Sequence, residues 1–207
     1  MAGEGEQAPD EVVRVHSPKR DSTVVTIARV SAPAELLGEP RVEVVQHYWW
    51  TGRDHSTQYT ALLELVRARW HCRSVWVDAT GVGAGIASFL ARALGEHVVE
   101  AVGFTRPRKS ELGYGLLSAV RAGRVRMYAD DGSKEAREFW YEASVCRYAI
   151  VGASQQMSLN FYVDDKDGHD DFVVSLALAV AAAGLVAPAP AGVVIEAPPM
   201  YVGEGRF

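Results

Sequence analysis

Ser74-Val75-Trp76-Val77-Asp78-Ala79-Thr80-Gly81-Val82-Gly83-Ala84-Gly85 decides how this chain is read. A short apolar run ends on a carboxylate, glycines follow, and Ile86, Phe89, Leu90 and Ala93 then recur at helical spacing up to Gly95. That pattern is a strand, a tight turn and a helix, the unit from which sheets with parallel strands are built. It puts Asp78 at the carboxyl edge of the sheet, where α/β proteins bind ligands. Two other readings stand beside this one. Asp78 serves equally as the cap of the helix that follows, and Gly81-x-Gly83-x-Gly85 looks like a dinucleotide-binding turn. The latter has GxGxG in place of GxGxxG and an acid where an anion would sit. It also needs an acid about 20 positions on to hold a ribose, for which Glu100 is the nearby candidate.

Working outward, Val98 to Phe104 is a strand, Ser110 to Ala122 a helix stopped by Gly123, and Val125 to Tyr128 a short strand. A helix over Ser133 to Ser144 precedes two strands, Arg147 to Val151 and Met157 to Val163, whose connection reads as a hairpin. A last helix starts near Asp170. Upstream, Val24 to Ala28 and Val42 to Trp50 are β-branched and aromatic runs, and Val12 to Val15 is a possible strand before them, together an antiparallel meander. Leu62, Leu63, Leu65, Val66 and Trp70 then form a helix, with Ser56 or Thr57 as its cap. The expected fold class is α/β: a mixed β-sheet flanked by helices, with an added β-hairpin before the last core helix. Residues 1–11 read as a flexible N-terminus, 12–184 as one domain and 185–207 as a Pro-rich tail.

The whole chain has 207 residues, 48% hydrophobic and 23% charged, which suits one globular domain and excludes a fibrous or wholly disordered chain. With 21 Lys and Arg against 26 Asp and Glu, the net charge of −5 argues against indiscriminate wrapping of nucleic acid. Cys72 and Cys146 show no metal-ligand spacing and read as reduced thiols. The acidic start, MAGEGEQAPDE, has no apolar h-region, and the apolar window from Phe172 to Ala187 is short of the roughly 20 residues a membrane span needs. Cytoplasmic residence is therefore expected, with no membrane partner.

Three further groups carry chemistry. His169-Asp170-Asp171 stands before an almost wholly apolar helix; one Asp is enough for a cap, while the positive helix end keeps both carboxylates ionised, as a hard divalent cation requires. Asp21 lies in a polar loop, where a turn former is the ordinary reading. Arg106, Arg108, Lys109, Arg121, Arg124 and Arg126 face a single nearby acid, Glu111, so this stretch carries a local +5. Such segregation suits a phosphate backbone, though helix faces also carry charge without function. Asp164-Asp165-Lys166-Asp167 reads as a solvated turn, and Trp49, Trp50, Trp76 and Trp140 as core residues rather than base-stacking platforms.

Taken in order, VWVDATGVGAGIASFLARAL, FTRPRKSELGYGLLSAVRAGRVRMY and GHDDFVVSLALAVAA resemble the C-terminal nuclease domain of phage large terminase subunits, over roughly residues 10 to 184. The resemblance implies an RNase H-like fold and a metal-dependent DNA endonuclease acting in viral genome packaging, in the host cytoplasm if phage-encoded. By it, Asp78 matches the acid ending the central strand, Asp170 and Asp171 the acidic pair opening the last helix, and Asp21 a secondary acidic position. It implies a Mg²⁺ or Mn²⁺ cofactor, as a two-metal site. Implied partners are double-stranded DNA, a separate packaging ATPase, a portal and a small terminase subunit. The sequence departs from the pattern twice. Where the family has an aspartate ending its first strand, this chain reads Val12-Val13-Arg14-Val15-His16-Ser17, leaving His16 as a substitute ligand. No GxxxxGK[ST] occurs, so the ATPase is lacking. The alternative is a catalytically impaired DNA-binding or packaging-complex module of the same fold.

Overall fold

The computed structural model describes residues 22–33, 38–152 and 157–185. The expected strand at Val12 to Val15, together with His16, Asp21, the middle of the hairpin connection and nearly all of the tail, lies outside them.

Strand β1 (Ser22–Ser31) pairs antiparallel with β2 (Arg41–Thr51), with an irregularity at Ile27/Ala28 that lets the register shift. Helix α1 (His55–Leu63) follows and runs on through a π-helical turn over Glu64–Arg69. Its cap is Asp54 rather than Ser56 or Thr57: the Asp54 carboxylate accepts the Thr57 N–H at 3.0 Å and the Ser56 hydroxyl at 2.6 Å. Next come β3 (Val75–Asp78), α2 (Gly83–Leu94) and β4 (Val99–Val102), with β3 and β4 parallel, as a βαβ unit requires.

Helix α3 spans Arg106–Arg121 and so begins before Ser110. Pro107 makes that stretch look like a breaker, but proline is tolerated in a first helical turn, where its missing N–H has no intrahelical partner to lose. Strand β5 (Val125–Arg126) adds parallel to β2; α4 (Lys134–Val145), the antiparallel pair β6 (Arg147–Val151) and β7 (Ser158–Tyr162), and α5 (Asp171–Ala183) complete the order.

Helix α5 explains its own composition. One face packs Phe172, Leu176, Val180 and Ala183 against Val42, Val44, Ala119 and Phe139. The other packs Val173, Ala177 and Leu178 against Val102, Leu112, Leu159 and Phe161. A helix buried on both sides has no need of a polar stripe. On the far side of β3, Leu62, Val66, Leu90 and Val99 form a third cluster beneath α1 and α2. Gly113 lets α3 approach β7 closely, since a Cβ there would overlap the Leu159 side chain and crowd the Phe161 ring.

Among the described residues β1 and β3 do not pair with each other. A cleft of about 1490 Å³ separates their facing edges, with α5 closing one side and residues of α1 and α2 the other. Helix α5 supplies part of what a neighbouring strand would give β1: the Thr26 N–H donates to Ser175 Oγ at 3.1 Å, and the Thr26 hydroxyl does so at 2.8 Å.

Candidate functional site at the carboxylate edge

Asp78 ends β3. Side chains alternate along that strand, with Val75 and Val77 joining the cluster beneath α1 and α2 and Trp76 packing toward α5. Asp78 therefore falls on Trp76's face. One of its carboxylate oxygens accepts the Thr80 N–H at 2.8 Å, a turn closed two residues on. The helix cap itself is Val82, without a side-chain hydrogen bond, so the capping reading of Asp78 gives way to this turn. The glycines serve the chain rather than a ligand. Gly81 takes φ +58°, and Gly83 sits so close to the Asp78 carbonyl oxygen that a Cβ would overlap it.

The start of α5 reaches the same edge. Asp78 is in register with Val102 at the end of β4, α3 begins shortly after, and its Lys109 Nζ lies 3.3 Å from an Asp170 carboxylate oxygen. One turn beyond Asp171, Ser175 meets Thr26 in the middle of β1. The last residue of β3, the first of β1 and the first turn of α5 all border one cleft. Asp78 and Asp171 line the one cleft between them.

The adjacent acids at 170 and 171 have separate settings. Asp170 occupies the cap position of α5 but makes no side-chain cap bond, its carboxylate being paired with Lys109. Asp171 stands in the helix's first turn and at the cleft. Asp54 also lines the cleft, a residue the sequence reading passed over; its carboxylate is engaged in capping α1. Among the described residues no three His, Cys, Asp or Glu side chains gather closely enough to hold a metal ion.

The basic stretch divides into two groups. Arg106, Arg108 and Lys109 lie in the first turn of α3, at the carboxylate edge, with Arg108 pairing with Glu111 at 2.7 Å and lying over the Trp76 ring. Arg121 and Arg126 are exposed at the other end, a helix of 16 residues being about 24 Å long. Arg124, between them, is drawn inward to Glu39 at 2.5 Å and the Pro40 carbonyl at 3.3 Å, and its side chain is only 17% exposed. Of the tryptophans, Trp140 is half exposed rather than core. The Asp164–Asp167 turn is closed by the Asp167 N–H on the Asp164 carbonyl and held by Arg147, 2.8 Å from Asp164.

Similarity to known proteins bears on this geometry. The solved large terminase nuclease from thermophilic phage G20c with bound cobalt superposes with a TM-score of 0.52 at 23% identity, covering 75% of this chain and 81% of that one. The fold is that of a large terminase nuclease domain. The same phage nuclease with bound magnesium gives a TM-score of 0.51 at 22% identity, with the same coverage of each chain. No protein-family model and no curated protein matches the chain. The mixed α/β arrangement of sheets flanked by helices is the one the ordered motifs led one to expect. Among the described residues no helix is long and apolar enough to cross a membrane.

Two buried polar residues had no signal in the sequence. His47, on β2, is 1% exposed; its Nδ1 lies 3.1 Å from the Tyr128 hydroxyl and its ring stacks on Phe139. Burial pulls its pKa down to about 4, so it is neutral in the folded protein. Glu142, on α4, is 3% exposed and accepts the Val173 N–H at 2.6 Å. Desolvation pushes its carboxyl up to about 8, against the lowering pull of the Val173 and Phe172 amides, with the charges of Asp171 and Asp170 adding to the rise.

Proposed function

We propose that this chain is a terminase-type, divalent-metal-dependent DNA endonuclease domain, working in viral genome packaging with an ATPase on another chain. The observation that carries the reading is that Asp78 and Asp171, 93 positions apart in sequence, line one cleft in a fold shared with a phage packaging nuclease. Carboxylate oxygens are the donors that Mg²⁺ or Mn²⁺ favours. Such a cation would polarise a phosphodiester and lower the pKa of an attacking water. Asp78 and Asp171 would hold it, and Asp170, balanced by Lys109, would add negative charge beside them. A complete shell needs more oxygens than these supply. Asp21, and His16 where the family carries an aspartate, are the further ligands proposed from the sequence. Arg106 and Arg108, at the same edge, would receive the DNA backbone, with Lys109 nearby and Arg121 and Arg126 extending the track. Portal and small-subunit contacts belong to the same proposal.

Plasmid cleavage in Mg²⁺, Mn²⁺ and EDTA tests this. With the first-strand aspartate replaced, weak or Mn²⁺-dependent cutting is expected, abolished by Asp78→Asn and raised by Val15→Asp or His16→Asp. The second reading, a DNA-binding packaging module without catalysis, is favoured by the lack of a third metal-ligating side chain among the described residues. DNA binding with no cleavage in either metal, and no rescue by either substitution, would select it.

A further inference from the structure

We propose that Glu142 is a positioning residue that fixes the first turn of α5 from outside the helix and thereby sets the direction of Asp171 and Asp170. The inference rests on the nuclease reading only in what that direction is for.

A helix begins with N–H groups that have no intrahelical acceptor, and the residue at the cap position ordinarily accepts one of them two or three residues on. Asp170 holds that position in α5 and accepts none. Its carboxylate goes to Lys109 instead, at 3.3 Å. The vacant role is filled by Glu142 of α4, whose Oε1 accepts the Val173 N–H at 2.6 Å. In sequence the two helices are separated by the whole β6–β7 hairpin.

Burial makes this contact decisive. Phe172 and Val173 are buried side chains, so the amides between them have little water to turn to. A buried N–H left without an acceptor is costly, and a carboxyl put there for packing alone would be costly as well. Each removes the other's penalty. An external cap also explains how Asp170, at the cap position, can pair with Lys109 instead of the helix's own amides.

The carboxyl is largely protonated near neutral pH, so glutamine reproduces its shape, charge and acceptor. Alanine, equally uncharged, keeps neither the shape nor the acceptor. Amide hydrogen exchange of the intact protein, read at Val173 and Phe172, and Mn²⁺ affinity read by electron paramagnetic resonance of the free ion form the test. In the unmodified chain the Val173 amide should exchange at least tenfold more slowly than an exposed amide in a helix's first turn. Glu142→Ala should remove that protection and weaken Mn²⁺ binding about tenfold, the size of loss typical of supporting groups around metal ligands. Glu142→Gln should preserve both. Asp78→Asn should abolish Mn²⁺ binding and leave Val173 exchange unchanged.

Fast exchange at Val173 in the unmodified chain overturns the proposal, even if Glu142→Ala fails to fold. So does a Glu142→Ala protein that keeps both protection and affinity, or a Glu142→Gln protein that loses them. Absence of Mn²⁺ binding in the unmodified chain, with Val173 protected and Glu142→Ala deprotected, would reject the nuclease reading and uphold the role of Glu142 in fixing the helix start.

Discussion

The two acid-bearing ends that meet at the cleft are held in different ways. Asp78 is fixed by its own neighbours: the Thr80 N–H binds its carboxylate and Gly83 packs against its carbonyl, all within six residues. The start of α5 is fixed from a distance, by Glu142 behind it and Lys109 beside it. A locally held acid depends on the shape of a turn, whereas a remotely held one depends on the packing of two other helices.

The sharpest way to break the first arrangement is Gly83→Ala. Its Cβ would occupy the place of the Asp78 carbonyl oxygen, which belongs to backbone and cannot rotate away. The turn between β3 and α2 must then open, a backbone effect expected to cost about 3 kcal/mol or more, at the upper end of single substitutions. Gly103→Ala is the control, because a Cβ there meets nothing within 4 Å and its φ is not positive. Thermal unfolding of the two variants checks this, and equal melting temperatures would dissolve the contrast.

This difference also separates what was legible in the sequence from what was not. Apolar runs ending on Asp78 and beginning after Asp171 mark a strand end and a helix start, and local patterning suffices to place them. The same holds for β1, β2 and α2, whose periodicities are strong. A polar cluster offers several acceptors for the cap of α1, so the sequence points to Ser56 or Thr57; Asp54 takes the place by reaching both. Glu142 gave no signal, since one acid among the charged residues of α4 looks like part of a solvated face. Only the packing of α4 on α5 turns it inward. Arg124 follows the same rule: its charge is visible in the sequence, but its tie to Glu39 and the Pro40 carbonyl is not.

Within α5 the comparison sharpens to adjacent residues. Asp171 lines the cleft with Asp78, while Asp170 is neutralised by Lys109. Asp171→Asn should therefore reduce Mn²⁺ affinity and any cleavage by an order of magnitude more than Asp170→Asn. Calorimetric titration of both variants checks the order. Equal losses would mean that the helix start acts as one acidic unit, with Lys109 no more than a surface partner.

The basic residues extend the contrast to DNA. Arg106 and Arg108 share the carboxylate edge, whereas Arg121 ends α3 and Arg126 lies beyond it on β5. Each phosphate contact removed should lower the slope of log affinity against log salt by about one. Replacing Arg106 and Arg108 with Ala should flatten that slope and also slow cutting at saturating DNA; replacing Arg121 and Arg126 should flatten it and leave the saturated rate alone. Filter binding across a salt series, with cleavage measured in parallel, distinguishes the ends. No change of slope in either pair would remove α3 from the DNA face.

The smallest effect is a pH dependence of stability, in which the two buried titratable groups pull in opposite directions. Glu142 is raised from 4.5 to about 8, so the folded protein holds a proton that the unfolded chain releases, and its stabilising contribution is full below 4.5 and lost as pH rises through about 8. His47 is lowered from 6.5 to about 4; its contribution is present above 6.5 and lost as pH falls through about 4. Between 4.5 and 6.5 the two slopes oppose each other. About a unit above 6.5 the histidine is neutral in both states, and of the two groups only Glu142 then makes stability fall toward pH 8. Glu142→Gln should flatten that limb and leave the acid limb in place, because only the acid limb belongs to His47. Urea denaturation at pH 6.5, 7.25 and 8 reads the difference directly. A limb of unchanged slope in the variant would show that the carboxyl behind α5 is ionised throughout, and that its partner amides outweigh its burial.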